Sequence, residues 1–307
     1  MIAQRLKPKN DFLFKRLFGE TESKNLLISL LNAILHPADD KKIIDVTVID
    51  NKELVKEVID GKSGRLDVRC ETEDNEQIDL EVQIERDHAM DKRTLFYLSK
   101  LFVGSIKEGH DYDLLKKTIT INILDFNYLP LDHFHNTFHL YDDGNKEFML
   151  TDIFEIHFLE CLKFRAMQHD LNNPLHRWLL FLDEKVTEQQ LEELMTMDST
   201  IKTAEERLQR LSCDEETLRL YEAREEAFIE YNSGMSAARR AGLREGIEIG
   251  EKNGEKKGIQ KGIQQGKQDG KAEGKQEVAR NMLALGLDIE AIVKCTGLTI
   301  DELDKLK

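Results

Sequence analysis

Two short stretches alternate apolar and polar residues with a period of two, and a turn signal separates them. The first is Arg65-Leu66-Asp67-Val68-Arg69-Cys70 and the second is Ile78-Asp79-Leu80-Glu81-Val82-Gln83-Ile84. Alternation of this kind is the pattern of a half-buried β-strand, because successive side chains point to opposite faces. Leu66, Val68 and Cys70 share one face of the first strand, with Asp67 and Arg69 on the other. Ile78, Leu80, Val82 and Ile84 share one face of the second, with Asp79, Glu81, Gln83 and Glu85 opposite. The linking Glu73-Asp74-Asn75-Glu76 is rich in turn formers, so the pair predicts a hairpin. With the turn centred near Asp74, Asp67 lies directly across from Glu81, and Gln83 follows two residues on. Two carboxylates at one spot suit a hard divalent cation such as Mg²⁺ or Mn²⁺, which takes oxygen ligands. The same alternation also suits a plain hairpin whose carboxylates are solvated.

The surrounding chain supplies elements for a mixed α/β domain. Asn10 or Asp11 caps a short helix carrying Phe12, Phe14, Leu17 and Phe18. A second helix spans about 23–35, with Leu26, Leu27, Leu30, Leu31 and Ile34 as its apolar stripe. Ile43 to Ile49 reads as a strand. After the hairpin, 91–106 reads as a helix in which Leu95, Leu98, Leu101 and Phe102 face the core, and Arg93 and Tyr97 sit four apart beside them. Thr118 to Leu124 is a further buried strand. Strand signals continue from Phe134 to Phe158, and a helical stretch over 174–232 presents Trp178, Leu179, Phe181 and Leu182 to the sheet.

This order, with Asp67 and then Glu81-Val82-Gln83, resembles the PD-(D/E)XK nuclease core, of the restriction-endonuclease-like fold. That family carries an Asp on one strand and Glu-x-Lys on the next; here glutamine stands at the lysine position. The chain is most similar to the recombination-promoting nucleases, a branch also described as transposases. Asn10-Asp11-Phe12-Leu13-Phe14-Lys15-Arg16-Leu17-Phe18, Arg93-Thr94-Leu95-Phe96-Tyr97, the Gly-rich repeats and the tail from Gly286 to Thr299 carry that likeness. The resemblance implies a metal-dependent DNA endonuclease that hydrolyses phosphodiester bonds, with DNA as partner. It implies that Asp67, Glu81 and the Val82 carbonyl hold Mg²⁺ or Mn²⁺ and that Gln83 orients water. Since Gln83 has no charge, Lys15 or Arg93 is expected to supply a cation, with Asp11 and Tyr97 as further neighbours of the site. Asp11 and Lys15 also suit a simple i,i+4 ion pair. A catalytically impaired DNA- or partner-binding relative and an oligomerising scaffold remain open as alternative readings.

Beyond about residue 234 the composition changes. Gly242, Gly246, Gly250, Gly254, Gly258, Gly262, Gly266, Gly270 and Gly274 recur at every fourth position, between Glu, Lys, Gln and a few Ile. A step of four turns through about 400° on a helix, so the stripe drifts about 40° per repeat, and a helix pair following it supercoils right-handedly. Each glycine costs a helix about 1 kcal/mol against alanine. The segment reads either as a tether or as a self-association device that makes a homo-oligomer. The expected division is therefore 1–234 for the nuclease domain, 235–276 for the repeat and 277–307 for a small helical module of helix-turn-helix outline. In that module Val278, Met282 and Leu285 line the first helix and Gly286 ends it.

The charge of −15 over 307 residues argues against bulk attraction to nucleic acid. Only the repeat region, 235–280, is locally basic, with eleven Lys/Arg against seven Asp/Glu. Cys70, Cys161, Cys213 and Cys295 are scattered, which predicts neither zinc site nor disulfide framework. His133, His135 and His139 lie in a strand-like stretch that does not bring them together as ligands. No apolar run reaches the roughly 20 residues that span a bilayer, and no secretion signal is evident, so the expectation is a cytoplasmic protein without a membrane role.

Overall fold

The computed structural model describes residues 5–49 and 68–306. Asp67, Leu66 and Arg65, on which the sequence places expectations, lie outside the described residues. The chain divides into two compact units, 1–227 and 228–307.

In the first unit, helix α1 (Asp11–Phe18) is capped by Asn10, whose side chain accepts from the Leu13 amide at 3.3 Å. Helix α2 (Lys24–Leu35) buries Leu26, Leu27, Leu30, Leu31 and Ile34, the stripe that the sequence predicts. Strands β1 (Val46–Ile49), β2 (Val68–Thr72) and β3 (Gln77–Gln83) follow, then helix α3 (Met90–Val103) and strand β4 (Thr118–Leu124). Strands β5 (His135–Tyr141) and β6 (Met149–Glu160) lead into helices α4 (Cys161–Arg165), α5 (Pro174–Leu182), α6 (Glu188–Met197) and α7 (Ser199–Ser212). The described strands form one mixed sheet in the order β1-β2-β3-β4-β6-β5. β1, β2 and β3 are antiparallel neighbours, whereas β3–β4 and β4–β6 are parallel. A parallel pair needs a crossover, and α3 supplies it between β3 and β4.

The β2–β3 hairpin has the expected register. Val68 faces Leu80, Arg69 faces Asp79 and Cys70 faces Ile78. Asn75 takes the left-handed conformation, with φ 60°, inside the turn closed by the Thr72 amide donating to the Glu76 carbonyl at 2.9 Å.

One face of the sheet carries Ile78, Leu80, Ile119, Ile121 and Ile123. These pack with Phe14, Leu17 and Phe18, with the α2 leucines, and with Trp178, Leu179, Phe181 and Leu182. Phe18 meets Trp178 edge-on at 5.6 Å. The other face of β3 and β4 is polar yet buried: Asp79, Glu81, Thr118, Thr120 and Asn122 are all enclosed. The half-exposed β3 of the sequence reading is thereby corrected. Strands on both sides and a crossover helix above leave β3 no solvated face. The same surface corrects part of the expectation for α3: Leu98 is buried as expected, and Leu101 and Phe102 are half-buried, but Leu95 is not. Leu95 points outward at 51 % exposure, while Thr94 is buried and donates its hydroxyl to the Asn122 side-chain oxygen at 3.1 Å.

Helix α8 (Glu215–Ala284) begins in the first unit and includes the whole glycine repeat. In the second unit its end packs with α9 (Ile289–Thr296) and α10 (Ile300–Asp304) around Ala279, Ile292, Leu298 and Leu303. Gly286, at φ 77°, closes the long helix. The Leu287 amide reaches back to the Met282 carbonyl at 3.2 Å, and the Gly286 amide to the Leu283 carbonyl at 3.0 Å. Val278 and Leu285, expected to line the module, are exposed, and the inward positions belong to Ala279, Met282 and Leu283.

Candidate active site

Glu81 and Gln83 end the central strand β3, on the face that α3 covers. Glu81 is only 5 % exposed. Arg93, one turn into α3, reaches both. Its Nη2 lies 2.8 Å from Glu81 Oε1 and 3.2 Å from Gln83 Oε1, and its Nη1 lies 3.2 Å from Asp87 Oδ2. One guanidinium nitrogen therefore donates to a carboxylate oxygen and an amide oxygen together. Two residues earlier on the strand, Asp79 is neutralised by Arg69 at 2.9 Å, both nearly enclosed.

Several contacts hold Arg93 in place. Thr94 is pinned to Asn122, and Asn122 in turn donates to the His157 carbonyl at 3.0 Å. At the start of α3, the Tyr128 hydroxyl donates to Asp91 Oδ1 at 2.8 Å and accepts from the Asp91 amide at 2.9 Å. The loop bearing Tyr128 is fixed by Glu160, wholly buried, which accepts from the Tyr128 and Leu129 amides and from Lys163. The end of β3 is held separately: the Asp125 amide donates to the Gln83 carbonyl at 3.0 Å, and Gln83 Nε2 donates to the Glu85 carbonyl at 3.2 Å.

The other sequence candidates divide. Lys15 is half-buried in the last turn of α1 and makes no ion pair with a described residue. That turn abuts Val68, the first described residue of β2: a Cβ added at Gly19 would lie 3.2 Å from Lys15 Cγ and 3.4 Å from Val68 Cγ2. Asp11 does not pair with Lys15. It is gripped by Arg224 of α8, with Nε at 3.1 Å and Nη2 at 2.5 Å, because Arg224 offers a fork where Lys15 offers a point charge. Tyr97 is half-buried and meets Phe96 edge-on at 5.3 Å. Asp87, the third partner of Arg93, was not singled out from sequence. An acidic residue six positions before a candidate arginine is its only signal.

Among the described residues no group of three or more His, Cys, Asp or Glu is arranged to hold a metal. The donor chemistry nevertheless fits a hard cation, since two oxygens already converge on one positive nitrogen. Asp67, the expected second carboxylate, lies outside the described residues.

The histidines of β5 and β6 form a different cluster. His135 Nε2 lies 2.9 Å from His157 Nδ1, His157 Nε2 lies 2.8 Å from Glu155 Oε1, and Lys117 Nζ lies 2.9 Å from Glu155 Oε2. Burial, aided by the neighbouring His157, pushes the His135 pKa down to about 4. Burial alone would raise Glu155, but the hydrogen bonds and charges of His157 and Lys117 prevail and hold it at about 2. Between pH 6.5 and 4 the unfolded chain binds a proton at residue 135 that the folded chain refuses. This contribution is absent above pH 6.5 and destabilises the fold progressively as pH falls towards 4. His135→Gln is expected to flatten the fall in melting temperature over that window. Parallel pH–Tm curves for variant and parent would refute this assignment.

A family model described as PD-(D/E)XK nuclease family transposase matches residues 8–238. A second, described as the C-terminal HTH domain of the Rpn/YhgA-like nuclease family, matches residues 272–307. No curated protein and no solved structure matches the chain. Among the described residues no helix is long and apolar enough to cross a membrane.

Proposed function

The chain belongs to the PD-(D/E)XK nuclease family transposases, and we propose that within this family it acts as a divalent-metal-dependent DNA endonuclease. The observation that carries the reading is the convergence of Glu81 and Gln83 oxygens on Arg93 at the end of the central strand. Glu81, Asp67 and the Val82 carbonyl are the residues that would hold Mg²⁺ or Mn²⁺. When bound, such an ion acts as a Lewis acid on the phosphoryl oxygen and lowers the pKa of a water. Arg93 brings the positive charge that Gln83 lacks to within hydrogen-bonding distance of Gln83 itself, and a guanidinium fork suits a phosphate with growing negative charge. Gln83 steadies that fork through its side-chain oxygen. Lys15, whose turn abuts Val68 at the start of β2, is the further candidate for a cation at the site. Purified protein incubated with supercoiled plasmid should relax or linearise it with Mg²⁺ or Mn²⁺ and not with chelator. An intact plasmid under both conditions would favour a binding role.

We further propose that the glycine repeat pairs with a second copy. A Cβ built on any of the nine glycines from Gly242 to Gly274 meets no other atom within 4 Å, so nothing in the described chain requires glycine there. Leu243, Ile247, Ile259 and Ile263 each follow a glycine directly, and all are more than half exposed. A close partner backbone would use both features. Gly250, Gly254, Gly258 and Gly262 changed together to Leu should convert an oligomer into a monomer in sedimentation equilibrium. A parent chain that is already monomeric at every concentration would leave the repeat as a tether.

A further inference from the structure

We propose that Arg93 competes with the divalent cation for Glu81, and that the cation's arrival releases Arg93 to bind the phosphate of the substrate. This rests on the reading of Glu81 as a metal ligand.

The geometry supplies the rivalry. Arg93 Nη2 sits on Glu81 Oε1 at 2.8 Å, an oxygen of the carboxylate read as a metal ligand, and on Gln83 Oε1 at 3.2 Å. Glu81 is 5 % exposed, so little water is at hand to separate two positive charges, and their repulsion is strong where the dielectric is low. A guanidinium and a divalent ion drawing on one buried carboxylate repel each other, so each weakens the other's hold.

The geometry also supplies a place to go. Nη1 holds Asp87 Oδ2 at 3.2 Å, and Asp87 is more exposed than Glu81, so Arg93 keeps one anchor when Glu81 is surrendered. Helix α3 stays fixed by the Thr94–Asn122 and Tyr128–Asp91 contacts, and only the side chain needs to swing. Finally, Arg93 Nε is buried and has no hydrogen-bond partner among the described residues. A buried donor left unsatisfied is uncommon in a settled structure. A phosphate oxygen accepting from Nε and Nη together would satisfy it.

The test is Mn²⁺ binding to the full chain without DNA, followed by calorimetry. Arg93→Gln is expected to tighten the Kd about ten- to a hundredfold, the worth of one charge-assisted hydrogen bond that the ion no longer displaces. Cleavage by the same variant should fall despite the tighter ion. Arg93→Lys, which keeps the rival charge, should stay nearer the parent Kd, and Glu81→Gln should lose the site. Arg93→Gln binding no tighter than the parent overturns the competition while leaving Glu81 a ligand. A parent Kd that is indifferent to Glu81→Gln overturns the metal reading itself. Should Arg93→Gln fail to fold, phenylglyoxal labelling of the parent chain decides the matter. Arg93 modification should rise when Mg²⁺ is added, and an unchanged rate overturns the proposal.

Discussion

Glu81→Ala should reduce plasmid cleavage by about 10³-fold or more, since an ion stabilising the transition-state charge contributes several kcal/mol and each 1.36 kcal/mol is tenfold. Asp67→Ala is expected to match it if both carboxylates share one ion. The stability change in Glu81→Ala should be modest, because the variant leaves Arg93 with Asp87 and Gln83 as partners. The decisive comparison is therefore activity against melting temperature. A variant that melts near the parent and still cuts at the parent rate would remove Glu81 from the chemistry. A loss of activity that merely follows a collapse in stability would assign Glu81 to the fold. Glu81→Gln separates these, because it keeps the shape and a hydrogen-bond acceptor for Arg93 but removes the charge that a divalent ion needs.

How much of this site was legible beforehand depends on the range of the contacts. The hairpin register follows from local information: period-two alternation on both sides of a turn centred at Asp74 leaves one pairing that keeps Val68, Cys70, Ile78 and Leu80 together. The α2 leucines were legible for the same reason. The burial of Asp79 and Glu81 was not, because it comes from β4 and α3, which the alternation of β3 cannot report. The facing of α3 was legible only in part: Leu98 is buried as its spacing predicts, whereas Leu95 is not. A helix usually turns its leucines inward, but the surface beneath this one is Asn122, Glu81 and Thr120, so Thr94 and Arg93 face it and Leu95 is left outside. The missing lysine of Glu81-Val82-Gln83 also gains a physical account. A lysine at 83 would put an ammonium against the Arg93 guanidinium that now bonds to Gln83, so the neutral amide is compatible with a cation arriving from the helix. Lys9 had no readable signal at all beyond its place near a helix start. Its partner is 116 residues away.

That partner carries the second large expectation. Lys9 is 1 % exposed, and its ammonium lies 2.5 Å from Asp125 Oδ1, immediately beyond β4. Arg165 reaches the same oxygen at 3.2 Å and holds Asp183 at 2.5 Å, so Lys9, Asp125, Arg165 and Asp183 form a short chain of charges just beyond the end of β4. Removing one partner of a buried pair costs far more than the pair itself is worth, because the survivor keeps its desolvation penalty. Asp125→Ala should thus destabilise the first unit by about 3–5 kcal/mol, a drop in melting temperature on the order of 10 °C for a unit of this size. Lys9→Met should cost much less, since Asp125 retains Arg165 and the methionine fills the lysine's apolar stem. The double variant Lys9→Met/Asp125→Ala should recover much of the loss seen in Asp125→Ala, a coupling that a denaturant titration of all four chains measures directly. Additive losses would mean that Lys9 reaches water or another carboxylate in solution. The pairing also bears on the site. The Asp125 amide holds the Gln83 carbonyl, so loosening Asp125 frees the end of the strand that presents Glu81 and Gln83 to Arg93. Asp125→Ala should therefore lose cleavage at temperatures well below its own melting point, whereas Lys9→Met should not.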